Sequence, residues 1–104
     1  MTMYLVFSFF PKINQAKKIA KLAIKNKLAA CVNINKNVNS LYIWKKRIFD
    51  ENEIELGFKT NAKKVNKLIS FLELNHPYEC PCIISFPINK VNNKYSNWVN
   101  KQTC

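Results

Sequence analysis

One glycine, Gly57, stands in 104 residues, with four prolines and a single histidine. A chain this poor in glycine carries no phosphate-cradling loop and no flexible linker. One histidine beside six acidic residues gives no Ser-His-acid set and no carboxylate pair at a catalytic spacing, so no enzyme is expected. No apolar run approaches the ~18 residues of a membrane span. The opening stretch, Met1 to Phe10, has neither a basic leader nor a small-residue cleavage site, and a cytoplasmic protein is expected. Four cysteines are too few and too irregularly spaced for a secreted disulfide scaffold.

Positive charge is abundant. Seventeen basic residues against six acidic ones give +11, a balance that invites a polyanion. Sixteen of the seventeen are lysine, accompanied by fifteen asparagines and eleven isoleucines. These are the residues that A+T-rich codons specify, and coding bias explains them without a nucleic-acid partner. At 12.2 kDa and 48% apolar, residues 1–104 make one domain with one core.

Hydrophobic periodicity lays out that domain. Residues 3–10 are aromatic and β-branched and read as a buried strand ended by Pro11. From Asn14, a candidate cap, Ala16, Ile19, Ala20, Ala23 and Ile24 share one helical face with lysines opposite. Alternation returns over 28–35, with Val32 and Ile34 on one side. A polar bend is expected over 36–40, after which the strand resumes through Trp44 and ends at 45–47. Residues 50–53, holding three acids, read as a turn. Residues 53–60 alternate cleanly, with Ile54, Leu56 and Phe58 inward. A second helix is expected from Asn61, carrying Ala62, Val65, Leu68, Ile69 and Leu72 inward and stopped by Pro77. Cys82, Ile84, Phe86 and Ile88 line a further strand that Pro87 ends, and a short helix carries Val91, Tyr95, Trp98, Val99 and Gln102.

The order is β-α-β-β-α-β with a C-terminal helix: an α+β, ferredoxin-like sandwich with two helices on one face of an antiparallel sheet. The middle hairpin brings more apolar side chains (Leu41, Tyr42, Ile43, Trp44, Phe49) than one domain covers. Uncovered apolar strands associate, so self-assembly is expected from physics alone.

Several segments, in order, resemble the CutA family of divalent-cation tolerance proteins. Leu28-Ala29-Ala30-Cys31-Val32-Asn33 begins the match. Val38 to Trp44 resembles the family's V-x-S-x-Y-x-W arm, and Glu53 to Thr60 its E-x-x-L-x-x-K-T strand. His76-Pro77-Tyr78-Glu79-Cys80-Pro81 is similar to H-P-Y-x-x-P, Phe86-Pro87-Ile88 to L-P-I, and Tyr95 to Val99 to the Y-x-x-W ending. The resemblance implies a P-II-like homotrimer whose arms pair between subunits. It implies intersubunit clefts lined by Trp44, Lys59, His76, Tyr78, Tyr95 and Trp98, and a role in tolerance of copper or another divalent cation.

The chain departs from the family where copper would bind. That pattern uses a first-strand Cys three residues before Pro and a His pair before Pro-Tyr. Here Ser8 and Asn75 occupy two of the three positions, and only His76 is kept. Hydroxyl and amide are poor copper donors. The family's Trp-x-Gly turn reads Trp44-Lys45-Lys46, and its Pro-Glu reads Pro81-Cys82. His76 therefore reads either as a metal ligand or as a helix-end residue packed beside Pro77 and Tyr78. Cys82 reads either as a replacement donor or as a buried thiol beside Ile84 and Phe86. Two other functions fit the same element order. One is a P-II-like sensor binding a small anion or nucleotide near Lys59. The other is an RNA-recognition module, of whose signature only Gly57-Phe58 is present.

Overall fold

The structure is a computed structural model describing residues 2–104. Its elements run β1 (Met3–Phe10), α1 (Ile13–Lys25), β2 (Cys31–Trp44), β3 (Arg47–Asn61), α2 (Val65–Asn75), β4 (Ile83–Ile88) and α3 (Asn93–Gln102). The strands form one antiparallel sheet in the order β2-β3-β1-β4. This is the expected ferredoxin-like α+β arrangement. β1 is central and β4 is an edge, where Pro87 sits inside the strand, opposite Tyr4, instead of ending it. An edge strand tolerates a residue with no N–H to donate.

α1 and α2 cover one sheet face. Val6 and Phe10 of β1 and Ile54, Leu56 and Phe58 of β3 pack there against Ala16, Ile19, Ala20 and Ala23 of α1 and Val65, Leu68 and Leu72 of α2. Alternation puts these strand residues on one side because both helices cover that side along its length. Ile24 and Ala62, expected inward, are exposed: Ile24 lies just past the arc of α1 that meets the sheet, and Ala62 lies in the turn before α2. Phe58 is fully buried in this core. An RNA-recognition module needs that aromatic on the open face to stack a base, so Gly57-Phe58 does not serve RNA here.

Helix N-termini are built without capping side chains. α1 begins at Ile13, with Lys12 as its N-cap making no side-chain bond, and Asn14 lies inside it. α1 ends in a Schellman turn: Lys27 N–H donates to the Ile24 carbonyl and Leu28 N–H to that of Ala23. The left-handed residue of this turn is Lys27, at φ 59°. Asn61 does not start α2. It ends β3 and accepts the Lys63 N–H on its side chain, so the helix proper begins at Val65.

The middle hairpin is longer than its sequence suggested. The expected bend at 36–40 is only a register shift between Asn35 and Val38, and β2 runs on to Trp44. The expected turn at 50–53 is strand: Asp50 pairs with Leu41, Glu51 with Ser40 and Asn52 with Asn39. Asn39 Nδ2 donates to Asp50 Oδ1 at 2.7 Å, so these polar residues bind across the ribbon. The reversal falls at Lys45-Lys46, whose φ of 50° and 66° make a type I′ turn closed by Trp44 and Arg47.

This ribbon projects from the body. The molecule measures 45 × 25 × 22 Å with a radius of gyration of 14.2 Å, against about 13 Å for a compact chain of this length. Its accessible surface, 7070 Å², exceeds by about 1,000 Å² what a compact monomer of this mass exposes.

Candidate functional site

The second face of the sheet carries Leu5, Phe7 and Phe9 of β1 and Ile84 and Phe86 of β4, the last two exposed. α3 covers only one end. There Val99 packs with Met3, Ala30 and Ile88, and the Asn61 amide donates to Asn100 Oδ1 and Thr103 Oγ1. At the opposite end, where the ribbon leaves the body, lies a cleft of about 460 Å³.

Aromatic rings line much of that cleft. Tyr42 and Phe49, opposite each other on the ribbon, stack at 5.5 Å. Trp44, Phe9 and Tyr78 add further rings. Polar side chains line other parts of its wall: Glu53, Glu79, Cys80 and Cys82. Glu53 is 8% exposed, and Tyr78 Oη donates to its Oε2 at 2.6 Å. A short bond from a phenol to a carboxylate is charge-assisted and strong. Burial, then the bond to Glu53 and its charge, push the Tyr78 phenol far above its ordinary value.

His76 ends α2 and faces the helix side of the sheet, stacked on Phe10 with ring centroids 4.3 Å apart. Its Nδ1 accepts the Tyr78 N–H at 3.2 Å, which places the proton on Nε2. Nε2–H then donates to Ser8 Oγ at 3.1 Å, and Ser8 Oγ–H to the Cys82 carbonyl at 2.8 Å. Burial lowers the imidazole's affinity for a proton, while the Phe9 backbone and the Glu53 charge pull weakly the other way. The chain from His76 through Ser8 to Cys82 ties the end of α2 to the start of β4. It turns Tyr78 round the sheet's edge onto Glu53.

The six residues expected to share a cleft divide between the two ends. Trp44 and Tyr78 line the cavity, and His76 braces it from behind. Lys59, Tyr95 and Trp98 stand at the α3 end. There Lys59 Nζ lies 5.6 Å above the Tyr95 ring, and Tyr95 and Trp98 sit 5.6 Å apart. Burial, with Cys31 beside it, raises the Tyr95 phenol. Lys59 lies six steps along β3 from Glu53, about 20 Å of extended chain.

The metal assignment to His76 does not fit this arrangement. Both ring nitrogens are engaged within the subunit, Ser8 Oγ is occupied on both sides, and Asn75 Nδ2 donates to the Phe71 carbonyl at 2.8 Å. Among the described residues no three of His, Cys, Asp and Glu stand close enough to chelate one ion. Cys82 is exposed on the cleft, not buried. Its alternation with Ile84 and Phe86 was read correctly, but the face they share is the one the helices leave bare. Sequence reading also passed over Glu53. It opens the Glu53 to Thr60 motif, and a buried acid on the polar side of an alternating strand looks like a solvated one until its neighbours are known.

A ferredoxin-like domain with a projecting two-stranded ribbon and an aromatic cleft at the ribbon's base defines the class of protein. The chain belongs to the CutA1 divalent ion tolerance protein family, which matches it over residues 4–102. It is 39% identical over 89 residues to a Protein CutA homolog of Xenopus laevis, covering 86% of this chain and 59% of that one. The chain thus spans little more than half the length of the first animal relatives it matches, from 52% to 59%. A divalent-cation tolerance protein CutA of Thermus thermophilus is 34% identical over 93 residues, covering 89% of this chain and 90% of its own. The crystal structure of CutA from Xylella fastidiosa superposes with a TM-score of 0.95 at 34% identity, covering 98% of both chains.

Proposed function

We propose that the chain works as a homotrimeric, non-enzymatic binding protein in divalent-cation tolerance, as its relatives are named, and that it does so in the cytoplasm. The observation that carries this is the uncovered apolar ribbon: Leu41, Ile43 and Ile48 are each more than 65% exposed. Its excess surface of about 1,000 Å² is on the scale of the ~800 Å² per partner that a stable interface buries. A closed ring of three satisfies every ribbon and leaves none free to polymerise. Four free cysteines suit a reducing compartment.

On this reading a neighbour's Lys59, Tyr95 and Trp98 meet the Trp44 and Tyr78 end of the next subunit, so the ligand site is shared. Light scattering tests the assembly: the purified protein should weigh three times 12.2 kDa. Ile43→Asp should weigh 12.2 kDa with its far-ultraviolet circular dichroism retained. A monomeric wild type overturns the reading.

The Lys59, Tyr95 and Trp98 cluster favours one rival, a small-anion or nucleotide sensor, because it sets a cation against two stackable rings. Parallel titration with Cu(II) and with ATP separates the two. A saturable ATP site lost in Lys59→Ala, with no metal site in the wild type, favours the sensor.

A further inference from the structure

Cys80 and Cys82 open onto the same cleft, and both are free and exposed. Cys80 closes the bend over 77–80 and Cys82 leads into β4, with Pro81 between them fixing its own φ near −65°, so one short segment carries both cysteines on the cleft wall. The main chain at Cys82 is held by Ser8 Oγ, itself held by His76. The Cys82 backbone is therefore anchored to β1, and Cys80 stands on the short segment that leads to it. Burial and the Glu53 charge hold the Cys82 thiol protonated more firmly than usual. The same negative charge favours a cation arriving beside it.

The donor count decides which cation. Hard divalent ions take six or more oxygens, and tetrahedral zinc takes four donors. No three chelating side chains converge among the described residues. Two thiols alone suit an ion that is satisfied by two soft ligands.

We propose that Cys80 and Cys82 form a two-coordinate dithiolate site for a soft monovalent d10 cation, of the Cu(I) or Ag(I) class, at the mouth of the aromatic cleft. Binding one M⁺ releases both S–H protons and forms two S–M bonds, with no change of oxidation state. The S–M–S unit carries one net negative charge, which a chain of net +11 tolerates. The site differs from the family's divalent ion in charge, donor type and coordination number, and it needs no second subunit.

Ag(I) nitrate, titrated into the reduced protein in chloride-free and thiol-free buffer, is the test, with bound metal read by equilibrium dialysis. Wild type and the Cys31→Ser/Cys104→Ser double variant should each bind one Ag(I) per chain with equal affinity. Cys80→Ser and Cys82→Ser should each weaken binding by more than about 100-fold, beyond what loss of a merely supporting residue does. On the wild type itself, one equivalent of Ag(I) should protect both Cys80 and Cys82 from iodoacetamide, read by peptide mass spectrometry. That measurement stands if a variant misfolds. Binding within threefold of wild type in either single variant, protection of only one of the two thiols, or an equally tight one-per-chain Zn(II) site on the same pair overturns the proposal. The mass of each sample, taken alongside, separates failure of this site from failure of the trimer.

Discussion

β3 is one continuous strand with two different lives. From Ile54 to Asn61 almost every residue is buried, because helices cover one face and α3, Phe7 and the neighbouring strands crowd the other. From Arg47 to Asn52 nearly every residue is exposed, apolar and polar alike. β2 pairs with both halves, while β1 pairs with the body half alone, over Ile54 to Asn61. What differs besides is whether anything lies on top. Glu53, Tyr78 and His76 sit at the boundary. The halves should therefore respond to mutation in a graded way, falling from the body through the boundary to the tip.

The body half should give the largest effect. Phe58→Ala removes a fully buried ring from the centre of the core and should destabilise the subunit by about 3–5 kcal/mol, measured as a lowered urea midpoint. A value near zero would mean that the ribbon and its partners, not the helix-covered core, hold the subunit together.

The boundary comes next. Glu53→Ala strands the Tyr78 hydroxyl in a half-buried place without its acceptor, at about 1–3 kcal/mol. Glu53→Gln keeps an acceptor and removes the charge. Followed by absorbance near 295 nm, Tyr78 should then ionise at lower pH, though still above an ordinary tyrosine because burial is the largest cause of its shift. In the wild type, the unfolded chain loses the phenol proton near pH 10 and the folded chain keeps it. Stability should therefore fall as pH rises beyond that point.

His76 gives a weaker, acid-side signature. Burial holds its imidazole below 6.5, so in the window under 6.5 the unfolded chain binds a proton that the folded chain refuses. Stability is then full above 6.5 and falls as pH falls through the window. Protonation also removes the lone pair that accepts the Tyr78 N–H. The urea midpoint of His76→Gln should change less between pH 7.5 and 5.5 than that of the wild type. An equal change in both would assign the acid sensitivity to the carboxylates.

This gradient also explains what could be read from sequence. Body strands and both covered helices were legible, because burial on one side imposes a period of 2 or 3.6 on Ile54, Leu56 and Phe58 or on Ala16, Ile19 and Ala23. The ribbon was not, because a strand bare on both faces has no reason to alternate. Asn37, Asn39 and Ser40 then look like a bend, and Asp50 to Glu53 like a turn. Cys82 was placed on the correct side of its strand but given the wrong surroundings, since alternation says which residues share a face and not what covers it. The pairing of Tyr78 with Glu53 joins positions 25 apart, and no local pattern announces it.

The tip should give the smallest effect and the opposite sign. All the positive-φ residues seen among the described ones are lysines, Lys27, Lys45 and Lys46, while the chain's one glycine lies in the body of β3. A side chain in the left-handed region crowds its own carbonyl, by roughly 1–2 kcal/mol, and glycine escapes that crowding while losing more freedom on folding. The second term offsets about half of the first, so Lys46→Gly should stabilise by about 0.5–1 kcal/mol, raising the urea midpoint slightly. Lys46→Val, β-branched at the same φ, should lower it. The hidden turn was illegible because it lacks the Asn-Gly that ordinarily marks one, and the same lack makes it improvable. If Lys46→Gly left stability unchanged while Lys46→Val still folded with the same ribbon register, the tip would be held by what packs against it, and the contrast between the two halves of β3 would lose its sharpest edge.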